Sequence, residues 1–332
     1  MKRSLALGLT LAAVVLGVLG CTAAADFVSK NALSTGPNGP ETPASLGVPF
    51  ERVSIMSHSR RLDGYLVRAP ADCRDPPAIL IYHGFNETIS YWVDAQRLLY
   101  RHCVSSLVFD PTGSGDSTRP ASLHRLAEDT VSAYGFARSA FPPPVRLYVM
   151  GHSMGDALML QAEPALRPQP SGVIVANGFS SVRDFWAVHG VSKVVLQAMP
   201  DWWDNVRAIA AVHVPVLVVH SDADREVPVE EAQRVYAAAA QPKQIAILHG
   251  VAHNGLRRHL SEAWWTPVLG FVGSPGLTRA PLRPPPQSAG EVSAHDAEVA
   301  REAEILAGAA ALAAPSSAQP AAGLQTPPGA PP

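Results

Sequence analysis

The chain has 332 residues, of which 47% are hydrophobic, enough for one large folded domain with flanking segments or for two small ones. Lysine and arginine number 26 against 28 aspartate and glutamate residues, which gives a formal net charge of −2. Because there is no basic excess, and no basic stripe with interleaved aromatic residues, the composition argues against nucleic acid as a partner.

The first 20 residues are predicted to be a targeting segment. Lys2 and Arg3 precede Leu5–Leu19, an almost wholly apolar run that is too short and wrongly flanked for a stable membrane span. The run ends in V-L-G-C, which resembles a bacterial lipobox, in which Cys21 is lipidated and becomes the mature N-terminus. The alternative is an ordinary secretory signal with a chance cysteine.

A lipidated Cys21 would place the protein outside the cytoplasm, in a bacterial cell envelope, anchored to a membrane by its lipid. Thr22 follows, where an aspartate would suggest retention at the inner membrane. Residues 21–48 are rich in Ser, Thr, Ala, Gly and Pro, which predicts a flexible tether. Residues 274–332 are dominated by Pro and Ala, which predicts a disordered tail.

Residues 49–273 are predicted to form one domain in which strands and helices alternate. The predicted strands are Phe50–Met56, Leu62–Val67, Ala78–Tyr82, Ser106–Phe109, Val145–Met150, Gly172–Ala176, Val214–His220 and Gln244–His249. The predicted helices are Asp94–Tyr100, Leu123–Ala140, Asp156–Glu163, Glu230–Ala240 and Arg257–Phe271. This order predicts an α/β fold with a mostly parallel central sheet, helices on both faces and an antiparallel opening hairpin. Residues 178–213 are predicted to form a small helical cap segment.

Two cysteines remain besides Cys21. Cys73 comes just before the strand at Ala78, and Cys103 just before the strand at Ser106. If these strands are adjacent and parallel, both cysteines lie at the same end of the sheet, and export to an oxidising compartment favours a disulfide between them. The alternative is two free thiols.

The stretch Val145–Glu163 predicts a strand, a sharp turn and a helix, with Ser153 at the apex of the sequence GHSMG. This geometry lifts a serine hydroxyl out of the sheet and makes it available as a nucleophile. The new helix directs its free N–H groups and positive dipole end at the serine. The alternative is a glycine-rich turn without a catalytic role.

A nucleophilic serine needs a base and a group that orients the base. His253 follows the last strand, at the edge where reactive groups of parallel sheets gather, and is favoured over His249, which is predicted to lie at the end of that strand. Asp222 and Asp224 both follow the preceding strand and both qualify as the acid. With Glu226 they suggest a calcium loop, but the sixth-position glycine and the acidic twelfth residue are missing.

The oxyanion of an acyl-transfer intermediate needs two backbone donors. One is the N–H of Met154, next to Ser153 at the helix start. The other is the N–H of Phe85, which follows His83-Gly84 after an earlier strand. The alternative for His83-Gly84 is a plain turn at the end of a strand.

These motifs together resemble the α/β-hydrolase superfamily, and most closely its small, lightly capped, serine aminopeptidase-like members. The resemblance rests on five motifs in the family's order: His83-Gly84, residues 110–117, the GHSMG turn, residues 221–224 and residues 252–254. It implies that Ser153 is the nucleophile, His253 the base and Asp224 the acid, with Phe85 and Met154 as the oxyanion hole. The chain departs from the family at Asp156, where a second glycine is usual; a buried carboxylate there is costly unless it is paired.

The cap segment carries the candidate substrate-binding residues Trp186, Trp202 and Trp203. They are interpreted as an apolar wall for an acyl chain, and the alternative is helix packing onto the sheet. No metal or cofactor is implied. The sequence thus predicts a serine hydrolase that cleaves a carboxylic ester. The alternatives are a peptidase or amidase that uses the same triad, and a non-catalytic envelope scaffold with this fold.

Overall fold

The computed structural model describes residues 34–198, 203–257 and 262–273. Eight strands lie in this part of the chain: β1 (Glu51–Ser57), β2 (Arg60–Val67), β3 (Ala78–Tyr82), β4 (Ser105–Phe109), β5 (Leu147–His152), β6 (Val173–Ala176), β7 (Val216–Ser221) and β8 (Lys243–Leu248). The α-helices are α1 (Val93–Arg101), α2 (Leu123–Ala140), α3 (Met154–Ala162), α4 (Val182–Val188), α5 (Lys193–Ala198), α6 (Asn205–Ala210), α7 (Val229–Ala238) and α8 (Glu262–Gly273).

The strands form one sheet in the order β1-β2-β4-β3-β5-β6-β7-β8. The first two strands form an antiparallel hairpin, β2 also pairs antiparallel with β4, and all the other pairs are parallel. The carboxyl ends of β3 to β8 therefore share one edge, where reactive groups of such sheets gather.

Helices cover both faces of this sheet. In β3 the side chains alternate: Leu80 and Tyr82 join the apolar cluster that contains residues of α2, α3, α6 and α7, while Ile79 and Ile81 join the cluster that contains residues of α1 and α8. A strand buried on both faces is a continuous apolar run, as Ala78–Tyr82 is. The predicted α/β-hydrolase fold is confirmed.

Two local predictions differ from the structure. The last helix was expected from Arg257, but this residue caps a short 3₁₀ helix, His253–Leu256, and the described part of α8 is Glu262–Gly273. The tether was expected to extend to residue 48, but Thr35 and Asn38 already bond to the domain. The side chain of Arg119 donates to the Thr35 carbonyl oxygen (2.6 Å), and Asn38 donates to Asp63 (3.1 Å). The segment also contains a short 3₁₀ helix, Pro43–Leu46.

Cys73 and Cys103 are joined by a disulfide, with their Cα atoms 5.6 Å apart. The parallel pairing of β3 with β4 brings the amino ends of the two strands together, and each cysteine precedes one of them. On the chain-entropy account, closing this loop stabilises the fold by about 3–4 kcal/mol. Among the described helices, none has the length and apolar character needed to cross a membrane. Cys21 and the predicted signal and tail lie outside the described residues.

Candidate active site

Ser153 lies at the sharp turn between β5 and α3, with φ 53° and ψ −119°. A left-handed backbone at a residue with a side chain costs of order 1–3 kcal/mol and persists only where its surroundings enforce it. Here they do: a Cβ on Gly151 would come within 2.5 Å of the Asp156 backbone, and one on Gly155 would collide with the Tyr82 carbonyl oxygen. The two glycines let the turn close, and the serine side chain projects from the carboxyl edge of the sheet.

The structure pairs His253 with Asp224. His253 follows β8 and donates from Nδ1 to the Oδ2 atom of Asp224 at 2.6 Å, and both side chains are buried. Asp224 also accepts the backbone N–H groups of Glu226 (2.9 Å) and Val227 (2.8 Å). Burial alone would raise the pKa of Asp224, but the charge and hydrogen bond of His253 outweigh it, so that this pKa is lowered. The pair can hold an imidazolium beside a carboxylate that stays ionised.

The two rival residues form a second pair nearby. His249 Nδ1 lies 2.6 Å from Asp222 Oδ2, but here both side chains are about half exposed. β8 ends at Leu248, so His249 lies just beyond the strand and not within its end as expected. Asp222 also accepts the Gly250 N–H at 2.9 Å. In the loop after β8, Asp222 therefore binds the first two residues, His249 and Gly250, and Asp224 binds His253.

The proposed oxyanion donors come from two segments that meet beside Ser153. The loop after β3 passes so close that a Cβ on Gly84 would lie 3.2 Å from the Ser153 Cβ, and Phe85 is the next residue. Met154 is the first residue of α3, where N–H groups have no acceptor within the helix. The two segments that carry Phe85 and Met154 therefore meet beside Ser153.

A buried glutamate that the sequence analysis missed links the segments of this site. Glu87 accepts hydrogen bonds from the Gly84 N–H (3.1 Å), the Trp92 indole (2.8 Å) and the Arg257 side chain (3.0 Å). The Nδ1 atom of His152, which precedes Ser153, lies 2.9 Å from it. Burial opposes ionisation, but the charges of Arg257 and His152 hold the pKa of Glu87 well below its ordinary range. One carboxylate thus ties the loop after β3, the serine turn and the segment after His253 together.

The backbone of His253 is fixed from the neighbouring strands. Its carbonyl oxygen accepts from the Asn177 side chain (2.5 Å) and lies 3.1 Å from His152 Nε2. The rings of His152 and His253 are 5.1 Å apart, centroid to centroid. The histidine is therefore positioned through both its ring and its main chain.

Asp156, the departure from the family pattern, is fully buried in the first turn of α3. Its Oδ1 atom accepts the Ala176 N–H at 3.2 Å, and its Oδ2 atom has no hydrogen-bond partner among the described residues. The burial raises the pKa of Asp156 well above the ordinary carboxyl value, while the Ala176 N–H and the charge of His253 oppose the shift. The position thus favours a neutral carboxyl group.

Of the two cap tryptophans that the structure describes, Trp203 is the one beside the serine turn. It packs with Phe85 against a cluster that contains Met154 and Leu158, and it also contacts the cluster around Phe179. Trp186 packs against the Phe179 cluster, and Trp202 lies outside the described residues. Apolar contacts therefore run from the cap to Met154, the residue that follows Ser153.

Within residues 34–198, 203–257 and 262–273, no group of three or more His, Cys, Asp or Glu side chains is arranged to hold a metal ion. The carboxylates of Asp222 and Asp224, which had suggested a calcium loop, each face a histidine.

Comparisons with known proteins show which chains this one is similar to. Residues 76–208 match the family described as "Serine aminopeptidase, S33". Protein Rv2307c of Mycobacterium tuberculosis, itself uncharacterised, is 30% identical over 207 residues, which span 58% of this chain and 72% of that protein. The lysophosphatidylserine lipase ABHD12 of Danio rerio is 26% identical over 188 residues, 51% of this chain and 49% of the lipase.

Two solved structures show the same fold at low sequence identity. The esterase Pf2001 of Pyrococcus furiosus superposes with a TM-score of 0.58 at 14% identity, over 73% of this chain and 97% of the esterase. The esterase domain of a Rhodothermus marinus protein superposes with a TM-score of 0.51 at 22% identity, over 67% and 96%.

Proposed function

This chain belongs to the α/β-hydrolase superfamily, and from that premise we propose that it is a serine hydrolase that cleaves a carboxylic ester through an acyl-enzyme intermediate. The observation that carries the proposal is the buried Asp224–His253 pair at the same sheet edge as Ser153, which is held in a strained turn. The proposed roles are nucleophile for Ser153, base for His253 and orienting acid for Asp224.

The proposed reaction follows from these positions. Ser153 Oγ attacks the ester carbonyl carbon while His253 Nε2 takes the hydroxyl proton, and Asp224 stabilises the resulting imidazolium. The N–H groups of Met154 and Phe85 donate to the oxyanion of the tetrahedral intermediate. The imidazolium then protonates the leaving alcohol, and water repeats the sequence on the acyl-serine.

A fluorophosphonate probe tests the proposal without knowledge of the substrate, because it reacts covalently with an activated serine. We expect the full chain to be labelled once, on the peptide that carries Ser153, and Ser153→Ala to stay unlabelled while keeping its circular dichroism spectrum. Labelling of neither folded protein would favour the non-catalytic scaffold. Labelling of both would mean that another serine is the nucleophile.

The apolar contacts around Trp203 support a pocket for a short acyl chain such as butyrate. Each buried CH₂ contributes about 0.8 kcal/mol, so we expect kcat/KM for a butyrate ester to exceed that for the acetate ester by about tenfold. Trp203→Ala is expected to reduce this preference, because Trp203 packs beside Met154. Trp186→Ala, which removes a tryptophan farther along the wall, should retain it. A flat chain-length profile of the unaltered protein would contradict the apolar wall.

The family match to a serine aminopeptidase supports a second candidate, a peptidase or amidase that uses the same three residues. Paired ester and anilide substrates with the same acyl group separate the two, and the ester proposal expects the ester to be preferred. An extracytoplasmic site in the bacterial envelope, with a lipid on Cys21, also remains a proposal. Mass analysis of the mature N-terminus would test it.

A further inference from the structure

A second carboxylate lies beside the catalytic end of the His253 ring. The Oε2 atom of Glu226 is 3.8 Å from His253 Nε2, the nitrogen opposite the one that donates to Asp224. The Glu226 side chain is 15% exposed, so it is reachable from solvent and yet mostly enclosed. The proposed reaction does not use this carboxylate, because Asp224 already orients the His253 ring.

The turn after β7 fixes this placement. Asp224 Oδ1 accepts the backbone N–H groups of both Glu226 and Val227, which folds the segment tightly around the acid. Val227 is fully buried in the cluster beneath the cap and anchors the turn from the other side. The Glu226 side chain is consequently held next to the His253 ring by the same bonds that position the acid.

The charge of Glu226 is not matched by a basic side chain in the described part of the chain. Among the described residues, Glu226 forms no ion pair with a Lys or Arg side chain. Its Oε1 atom is buried and has no hydrogen-bond partner among these residues. Among the residues that the structure describes, the charged or titratable groups recorded near the ring are Asp224, bonded to Nδ1, and the side chains of His152, His220, Asp156 and Glu226. A partly enclosed carboxylate in this position attracts a cation.

The position of the Glu226 carboxylate relative to His253 Nε2 indicates which part of a substrate the carboxylate contacts. His253 Nε2 hands its proton to the leaving oxygen and must come within hydrogen-bond distance of it. A group attached two or three bonds beyond that oxygen then reaches the carboxylate. We infer that Glu226 is a specificity-determining residue that binds an ammonium group on the leaving alcohol of the substrate. This inference rests on the proposed ester hydrolysis.

Two esters of matched shape test this inference. Butyrylcholine carries a quaternary ammonium group, and 3,3-dimethylbutyl butyrate is its neutral isostere. We expect the intact protein to favour the cationic ester in kcat/KM by about tenfold, as one partly screened charge pair allows. In Glu226→Gln the ratio should fall to about one. Any effect of Glu226 on the basicity of His253 cancels in this ratio, because both substrates use the same histidine.

The control is Glu230→Gln, which removes the same charge from an exposed residue four positions along the chain and should keep the ratio of the intact protein. The ratio of the intact protein should also decline in high salt, a readout that needs no variant. Hydrolysis of both esters at equal rates by the intact protein, or an unchanged ratio in Glu226→Gln, would overturn the inference and leave the proposed ester hydrolysis standing. Failure of the folded protein to hydrolyse either ester, together with no fluorophosphonate labelling, would overturn both.

Discussion

Replacing Asp224 by asparagine is expected to lower kcat/KM for a butyrate ester by about 10⁴-fold. The amide side chain presents an NH₂ group to His253 Nδ1, which then acts as the acceptor, and the ring proton moves to Nε2. A protonated Nε2 cannot take the proton of the Ser153 hydroxyl, although the ring stays in place. Initial rates with a p-nitrophenyl ester measure the loss, and the fluorophosphonate labelling rate should fall with it.

Asp222→Asn is the matched control, because the two residues are two positions apart and each faces a histidine at 2.6 Å. The Asp222–His249 pair is about half exposed, and an exposed pair of this kind contributes about 1 kcal/mol or less. We expect Asp222→Asn to change kcat/KM by less than about threefold. If the two variants lost activity equally, or if Asp222→Asn lost more, the assignment of the acid would be wrong.

The fold could be predicted in detail wherever one local signal was strong. Residues 78–82 form a continuous apolar run between prolines and a His-Gly turn, and the predicted and observed strand bounds coincide. The same holds for residues 123–140, where helical periodicity stops before three prolines. The last helix was predicted to begin at Arg257, which instead caps the 3₁₀ turn His253–Leu256, because helical periodicity does not fix where a short turn ends.

The sequence could identify which residues belong to the candidate site, but not which side chains pair with one another. Asp222 and Asp224 both follow a strand end, and sequence order alone left both open; their pairing depends on which way the loop after β8 folds. Glu87 had no motif to mark it, because its charged partners His152 and Arg257 come from two distant segments of the chain. Glu226 was considered only as part of a calcium loop, since its proximity to His253 arises from a turn between strands that sequence spacing does not fix.

Replacing Asp156 by asparagine is expected to stabilise the folded protein at neutral pH, by an amount that increases with pH. Below the ordinary carboxyl pKa, both the folded and the unfolded chain keep the proton on Asp156, and ionisation costs nothing. Above about pH 4 the unfolded chain releases this proton while the folded chain retains it, because burial raises the folded-state pKa. The free energy of unfolding then declines by up to about 1.4 kcal/mol per pH unit until the folded-state pKa is reached.

The Asp156→Asn variant keeps an acceptor for the Ala176 N–H but has no proton to lose at this position, so the decline disappears. Urea unfolding of both proteins between about pH 4.5 and about pH 8 measures the difference, which should be small at the acidic end and grow steadily from there. Glu230→Gln, at an exposed position also in the first turn of a helix, should follow the unaltered protein throughout. A difference independent of pH would mean that Asp156 is already ionised in the fold. A growing difference would mean that the carboxyl group beside Ser153 is neutral, so that Asp224 and Glu226 supply the negative charge next to His253.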